Sequence, residues 1–387
     1  MGDYYTQRGE SPGEWMGRGL PDLLDFSDRS HVSEAQMTAL FGEGRHPDAV
    51  EIEARMLAAG RSPDAILAAT RLGSPFRVYT EVTAFRQRVA RAFDEHNAAA
   101  GSRRGEPLSD EVRARIRTQV ATEMFTDAFG RPPAGARELA GFIARESRQM
   151  TTAVAGYDLS FSPVKSVSAL WAVAPREVAD AIEQAHGAAV ADTLAWLEDN
   201  AVFTRTGRNG VRQVDVKGLI AAAFTHRDSR AGDPDLHTHL AISNKVQTLD
   251  GRWLALDGRP LHKMAVAASE RYNTRLEAHL RDSLGLRFEP RIGLDQTKLP
   301  IREIVGVEGK LSSAWSTRRR AIDARRADLA TKFQKDHGRP PTVVEALHLA
   351  QQATLDTREA KHEPRSLAEQ REVWHSQAVD ILGGQQR

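Results

Sequence analysis

The chain has no cysteine among its 387 residues. That excludes disulfides, zinc ribbons and thiol nucleophiles, and it fits a reducing compartment. Long apolar runs are missing as well: none approaches the ~18 residues that a membrane-spanning helix needs. The opening MGDYYTQRGESPGEW lacks the apolar core of a secretory signal. The expectation is a soluble, cytoplasmic protein with no membrane segment. Charge of one sign is scarce too: 53 Lys and Arg balance 52 Asp and Glu, for a formal net charge of +1. Any basic surface must therefore be local. The densest stretch lies between Lys310 and Lys335, with eight basic residues against Asp323 and Asp328. It is a candidate phosphate-facing surface, although a solvated helix face has the same pattern. Tyrosine is rare, with five in the chain, yet Tyr4 and Tyr5 are adjacent.

What is present suffices for a substantial core: 41% of residues are hydrophobic, enough for two or three compact units or one domain with large insertions. Residues 33–150 read as mostly helical. Ser33 is a plausible N-cap for a helix ending at Gly42. In SPDAILAATRLG, Ser62 caps, Pro63 takes the first helical position and Gly73 stops. The pattern F-x4-G-R-P-P-x5-L occurs twice, from Phe125 and from Phe333. It describes a glycine-ended helix, a corner, and a second helix opened by prolines. The middle changes character. GYDLSFSP, GRNGVRQVDVKGLIAAAFTHRD and LHTHLAISNKVQ alternate and are bounded by Gly, Asn or Asp, as strands are. Between the first two, one helix is expected from Ser162 as cap and Pro163, and another from Pro175 to about Asn200. The fold class expected is α+β: an antiparallel sheet with helices, preceded by a helical insertion and followed by a helical, basic extension. The expected boundaries are 1–25 for an N-terminal tyrosine segment, 26–150 for the insertion, 151–300 for the core and 301–387 for the extension.

HRDSRAGDPDLHTHLAISN, residues 226–244, holds three of the thirteen histidines. In a strand, residues two apart share a face, so His237 and His239 point the same way. If GLIAAAFTH pairs antiparallel with HTHLAISNK across the polar loop, His226 falls opposite His237 and all three imidazoles converge. A lone histidine is usually a surface or core residue. An H-x-H on a strand with a third His across a short loop is far more specific, and suits a three-nitrogen metal site with open positions. Imidazole favours Zn, Mn, Co or Ni, and Mg fits if substrate phosphate oxygens complete the shell.

In GYDLSFSPVKSVS, Asp158, Ser160 and Ser162 share a strand face. Asp158 could orient a ligand histidine or act as a general base. A helix start carrying Lys165 and Ser166 can hold a phosphate, though routine capping would use the same residues. A tyrosine phenol can attack a phosphodiester and store the bond as phosphotyrosine. A terminal Tyr-Tyr also serves commonly as a packing element.

Taken in order, YYTQRGESPGEWMGRGL, GYDLSFSPVKSVS, FTHRDSRAGDPDLHTHLAISNKVQ and DGRWLALDGRPLHK resemble the relaxase domain of the TrwC/TraI (MobF) conjugative relaxases, within the HUH endonucleases. The long helical stretch before GYDLSFS resembles the actinobacterial branch, and the resemblance spans nearly the whole chain. It implies a palm-like antiparallel sheet with helices on one face. It also implies site- and strand-specific nicking of single-stranded DNA at a transfer origin, leaving the 5′ end on a tyrosine. The family's metal ligands fall on His226, His237 and His239, its aspartate on Asp158, and its tyrosine pair on Tyr4 and Tyr5, with Tyr4 matching the second active tyrosine. The implied cofactor is a divalent ion (Mg, Mn or Zn). The implied partners are origin DNA and conjugation accessory or coupling proteins. Lys165, Arg227 and Arg230 are the expected phosphate contacts.

Two departures from the family pattern stand out. The family's upstream strand and earlier tyrosine have no counterpart before Tyr4, and no helicase follows. GVEGKLS, 306–312, lacks nucleotide-loop spacing, so no ATPase activity is expected. Two competing readings are a catalytically inactive DNA-binding remnant and a three-histidine hydrolase using water on a small substrate.

Overall fold

The computed structural model describes residues 12–21, 23, 31–76, 84–103, 105–106, 108–146, 153–291, 300–307, 309–358 and 365–383. They form two compact units, one of residues 1–75 with 154–387 and one of residues 76–153.

The first unit is built on a four-stranded antiparallel sheet. Its strands are β1 (Glu14–Met16), β2 (Gly156–Phe161), β5 (Ala221–Asp228) and β6 (Pro234–Ser243), in the order β1-β5-β6-β2. Three two-stranded ribbons accompany it: β3 (Phe203–Thr206) with β4 (Arg212–Asp215), β7 (Lys245–Gln247) with β8 (Trp253–Ala255), and β9 (Phe288–Pro290) with β10 (Arg302–Ile304). Alternation along β6 decides which face meets what. Leu236, Thr238, Leu240 and Ile242 are all buried, the apolar ones in the main core with Trp171, Ile182, Leu197, Leu276 and Leu280. Those partners belong to the helices Lys165–Val173, Arg176–Asn200 and Ala265–Leu284. Asp235, His237, His239 and Ala241 occupy the other face.

That other face changes from apolar to polar along its length. At the apolar end, Ala222, Phe224 and Ala241 form a second core with Leu20, Met37, Leu40, Phe41 and Leu72. Residues 31–72 therefore pack on the sheet, and the helical insertion expected over 26–150 divides: the separate unit is 76–153. The cause is the apolar stretch of this face, which needs cover that residues 31–72 supply. The expected C-terminal extension is likewise part of the first unit. β10 pairs with β9, and Trp315, Trp374 and Ala378 sit in the main core. Withdrawing a Trp of Trp374's size from water is worth on the order of 5 kcal/mol.

Local signals placed several helix starts. Ser33 and Gln36 form a reciprocal capping box, with bonds of 3.1 and 2.9 Å. Ser62 caps the Pro63–Thr70 helix, as its spacing predicts. The repeated pattern produces the same corner twice. Gly130 and Gly338 each end a helix at φ 66°, ψ 11°. In one, Arg131 lies 5.4 Å from the Phe125 ring centroid and pairs with both oxygens of Glu138; in the other, Arg339 lies 5.3 Å from that of Phe333 and pairs with Glu345. The Arg131 guanidinium holds the Glu138 carboxyl down at about 2. The first corner lies in the 76–153 unit, whose core is Phe85, Val89, Ile116, Val120, Phe125 and Phe142.

The edge strand β1 is locked to the entry of β5. Glu198 accepts from the backbone N–H groups of Arg18 (2.7 Å) and Leu219 (2.9 Å). Gly17 has φ +110°, and a Cβ there would lie 2.3 Å from the Leu219 carbonyl oxygen, so this contact needs glycine. Glu14 pairs with Ala223 and Met16 with Ala221. Because the strands are antiparallel, Gly13 at the start of β1 lies toward the end of β5 that carries His226.

Candidate metal centre

His226 is directly paired with His237 across β5 and β6, and His239 lies two residues further along β6. The ring centroids are 5.2 Å apart for His226–His237, 5.4 Å for His226–His239 and 5.3 Å for His237–His239. Just past His226 the register shifts by one residue before Asp228 meets Pro234. Irregularities of this kind re-aim side chains at functional sites.

Two of the rings, His237 and His239, are oriented by their Nδ1 atoms. His237 Nδ1 lies 2.7 Å from the Asp235 carbonyl oxygen. A carbonyl only accepts, so Nδ1 carries the hydrogen and, in the neutral ring, the Nε2 lone pair is the ligand-type donor. His239 Nδ1 lies 3.0 Å from both carboxylate oxygens of Asp158 and 3.0 Å from Ser160 Oγ. Asp158 fixes the same tautomer there, as carboxylates do behind ligand histidines. Ser160 is paired with His239 across β2 and β6, which accounts for its place beside the ring. The face remains open, with the Asp158 side chain 40% exposed.

This donor set fits a divalent ion. A tetrahedral ion with ~2.1 Å metal–nitrogen bonds keeps imidazole centroids about 5.3 Å apart. Among the described residues no group of three or more His, Cys, Asp or Glu side chains stands, as placed, where it could hold a metal ion. The fit therefore rests on donor type, tautomer and ring spacing.

A buried polar chain runs beneath the sheet. His186 donates or accepts at 2.7 Å with the Tyr272 hydroxyl through Nδ1 and at 2.7 Å with Thr238 Oγ1 through Nε2. Thr238 Oγ1 is also 2.8 Å from Thr225 Oγ1. Burial, then the nearby charge of His237, pushes His186 down to about 4, so it stays neutral. The chain supports β6 from below between its two ligand-type histidines.

A family profile described as TrwC relaxase matches residues 1–381. The chain belongs to the TrwC relaxase family. Two Escherichia coli proteins named multifunctional conjugation protein TraI are similar to it. One is 27% identical over 209 residues (54% of this chain) and the other, from strain K12, is 29% identical over 184 residues (41% of this chain). The matches span 11% and 10% of those proteins, so the chain corresponds to about a tenth of their length. A solved structure of the conjugative relaxase TrwC in complex with oriT DNA, metal-free, is 26% identical, with a TM-score of 0.50 over 78% of this chain and 97% of that one. A metal-bound TrwC structure with oriT DNA, 24% identical with a TM-score of 0.50, shares the fold and covers 78% and 96% of the two chains.

Within this relaxase fold the other expected site residues fare differently. The Lys165–Val173 helix has Val164 as its N-cap, not Ser162. Its start is filled from the protein itself: Ser166 N–H donates to Glu303 (3.1 Å), and the Ser166 hydroxyl accepts from Ile304 N–H (2.9 Å). A carboxylate at a helix N-terminus does what a phosphate would have done. Lys165 donates to the Pro234 carbonyl at 2.6 Å and lies 3.9 Å from Asp235. Its burial draws its pKa down against the pull of Asp235 and Asp233. It braces the start of β6 and is not displayed to an incoming phosphate. Arg227 and Arg230 flank the hairpin turn and are partly exposed. Tyr4 and Tyr5 lie outside the described residues.

Sequence reasoning did not single out His186, Tyr272, Gln370 or Trp374. For His186 a signal exists: it falls in the apolar stripe of the Arg176–Asn200 helix, with Ile182, Ala189 and Val190 at helical spacing, all buried. For the others, 33 residues or more beyond His239, no local pattern exists.

Proposed function

We propose that this chain is a conjugative relaxase domain that nicks one DNA strand at a transfer origin by tyrosine transesterification. The observation that carries the reading is the convergence of His226, His237 and His239 on one open sheet face, with Asp158 behind His239. In this reading the three imidazoles hold a divalent ion (Mg, Mn or Zn). When bound, the ion polarises a phosphoryl oxygen and neutralises charge developing on it. Asp158 holds the His239 ring in its ligating orientation. A tyrosine phenol attacks phosphorus, its proton passes to solvent or to a nearby base, the bond to the 3′ oxygen breaks, and the 3′-OH leaves. The 5′ phosphate remains on tyrosine.

Tyr4 is the assigned nucleophile, with Tyr5 beside it. β1 begins toward the His226 end of β5. The seven or eight residues between the tyrosines and Gly13 can span roughly 25 Å, ample to cross two strands. Arg227 and Arg230 supply phosphate contacts, so binding weakens as salt rises. Lys165 takes the bracing role described above. Further partners on this reading are conjugation accessory or coupling proteins, in the cytoplasm.

The test is covalent capture. The chain is mixed with Mn and labelled single strands tiled across the host plasmid or element, denatured in SDS and examined for a DNA-shifted band. The expected band disappears in Tyr4→Phe and in His237→Ala. A band that survives Tyr4→Phe but not Tyr5→Phe moves the nucleophile. No band with intact DNA binding refutes the nicking activity and leaves a binding module.

A further inference from the structure

The turn joining β5 to β6 is polar and short, yet it is not left to itself. Three groups far along the chain hold it. Gln370 Nε2 donates to the Asp228 carboxylate at 2.9 Å, and Trp374 Nε1 donates to the Gly232 carbonyl at 2.9 Å. Thr317 donates to the Asp233 carboxylate through its backbone N–H (2.8 Å) and its hydroxyl (3.1 Å). Gln370 and Trp374 are one turn apart on the Leu367–Gly383 helix and are 6% and 1% exposed.

This helix is firmly seated. Trp374 packs on Trp171 with centroids 5.4 Å apart. Arg371 donates to the carbonyls of Trp171 (2.9 Å) and Ala174. Trp315 Nε1 donates to Gln377 at 2.8 Å. The grip falls where the hairpin is least regular. Asp228 follows the register shift, two residues after His226, and Gly232 and Asp233 precede His237 by five and four. The ladder between β5 and β6 cannot by itself set the angle of the strands beyond an irregularity. An external anchor on both arms of the turn can.

We propose that Gln370 and Trp374 are positioning residues for the His226–His237 pair, so that seating of the Leu367–Gly383 helix sets the affinity of the histidine cluster for a divalent ion. The proposal rests on reading the three histidines as a metal site. Outer partners of ligand residues typically change metal affinity by about 10- to 100-fold. Here the link runs through the turn, so a single loss lowers affinity by about 10-fold and a double loss by more.

The experiment titrates the full chain with Co(II), following visible absorption and calorimetric affinity, well below the melting temperature of each metal-free variant. Trp374→Phe keeps the ring in the core and removes the N–H. Gln370→Met keeps the volume and removes the amide donor. Each is expected to weaken Co(II) binding about 10-fold and to alter the absorption bands, with the metal-free fold intact by circular dichroism. A residue that merely stabilises the fold would lower the melting temperature without changing the bands. Parental affinity and bands in both folded variants would overturn the proposal while leaving the metal site standing. Absence of Co(II) binding in the parent, matched by His237→Ala, would overturn both. If one variant does not fold, the other carries the test.

Discussion

The histidine hairpin and the start of the Lys165–Val173 helix are both polar clusters on strands or turns adjoining the same sheet, and they are built on opposite principles. At the helix start each donor meets an acceptor: Ser166 N–H meets Glu303, and Lys165 meets the Pro234 carbonyl. The hairpin instead gathers three groups of one kind with ring centroids 5.2–5.4 Å apart, and the Nδ1 partners of His237 and His239 leave their Nε2 nitrogens as Lewis bases. A cluster of opposites is complete in itself. A cluster of like bases is completed by an electrophile brought from outside.

Breaking the hairpin gives the largest effect. His226→Ala or His237→Ala should weaken divalent-ion binding by more than the roughly 100-fold expected for losing an outer partner, measured by calorimetric titration with Mn or Co. Retained binding would show that the like-base cluster is not a site. The histidine beneath the sheet sharpens the contrast, because it is already satisfied on both nitrogens. Its folded pKa of about 4 lies below the usual 6.5, so the unfolded chain protonates first as pH falls. Its contribution is complete above about pH 6.5 and is lost toward pH 4, by roughly 3 kcal/mol at most. Urea unfolding at about pH 7 and about pH 5 should therefore show a loss of stability that His186→Gln reduces. An unchanged difference in that variant would assign the loss to other groups.

Asp158→Asn is expected to lower metal affinity and adduct formation by about 10- to 100-fold, since a neutral amide orients His239 less strongly. Equal performance in covalent capture would remove Asp158 from the site. The smallest effect tests the helix start. Glu303→Gln keeps an acceptor at Ser166 but removes the charge, for a loss of about 1 kcal/mol in urea unfolding. A gain in phosphate or DNA affinity in that variant would mean the helix start is a masked anion site rather than a finished joint.

The legible parts of the sequence were those whose completion is local. His226, His237 and His239 could be set opposite one another because a hairpin turn fixes which residues pair. Ser33 and Ser62 cap helices that begin at once. The repeated G-R-P-P corner carries its own arginine and glutamate. What was illegible is completed from afar. Glu303 fills a helix start 137 residues earlier in the chain. The cover supplied by residues 31–72 is called for by Ala222, Phe224 and Ala241, far downstream. The C-terminal helix reads as part of a helical, basic extension until Trp374 is seen against Trp171. No local periodicity encodes which distant surface a helix will meet.

The locked edge strand β1 has a kinetic meaning. On the proposed assignment, a Tyr4 nucleophile separated from Gly13 by eight residues would be tethered at an effective concentration on the order of millimolar or higher. The same tether would act after the strand is cut. On that reading, a phosphotyrosine on the tether could not diffuse away from a 3′-OH still held on the protein, and resealing would be unimolecular. A relaxase tethered in this way would keep a nick reversible for as long as the 3′ end stays bound.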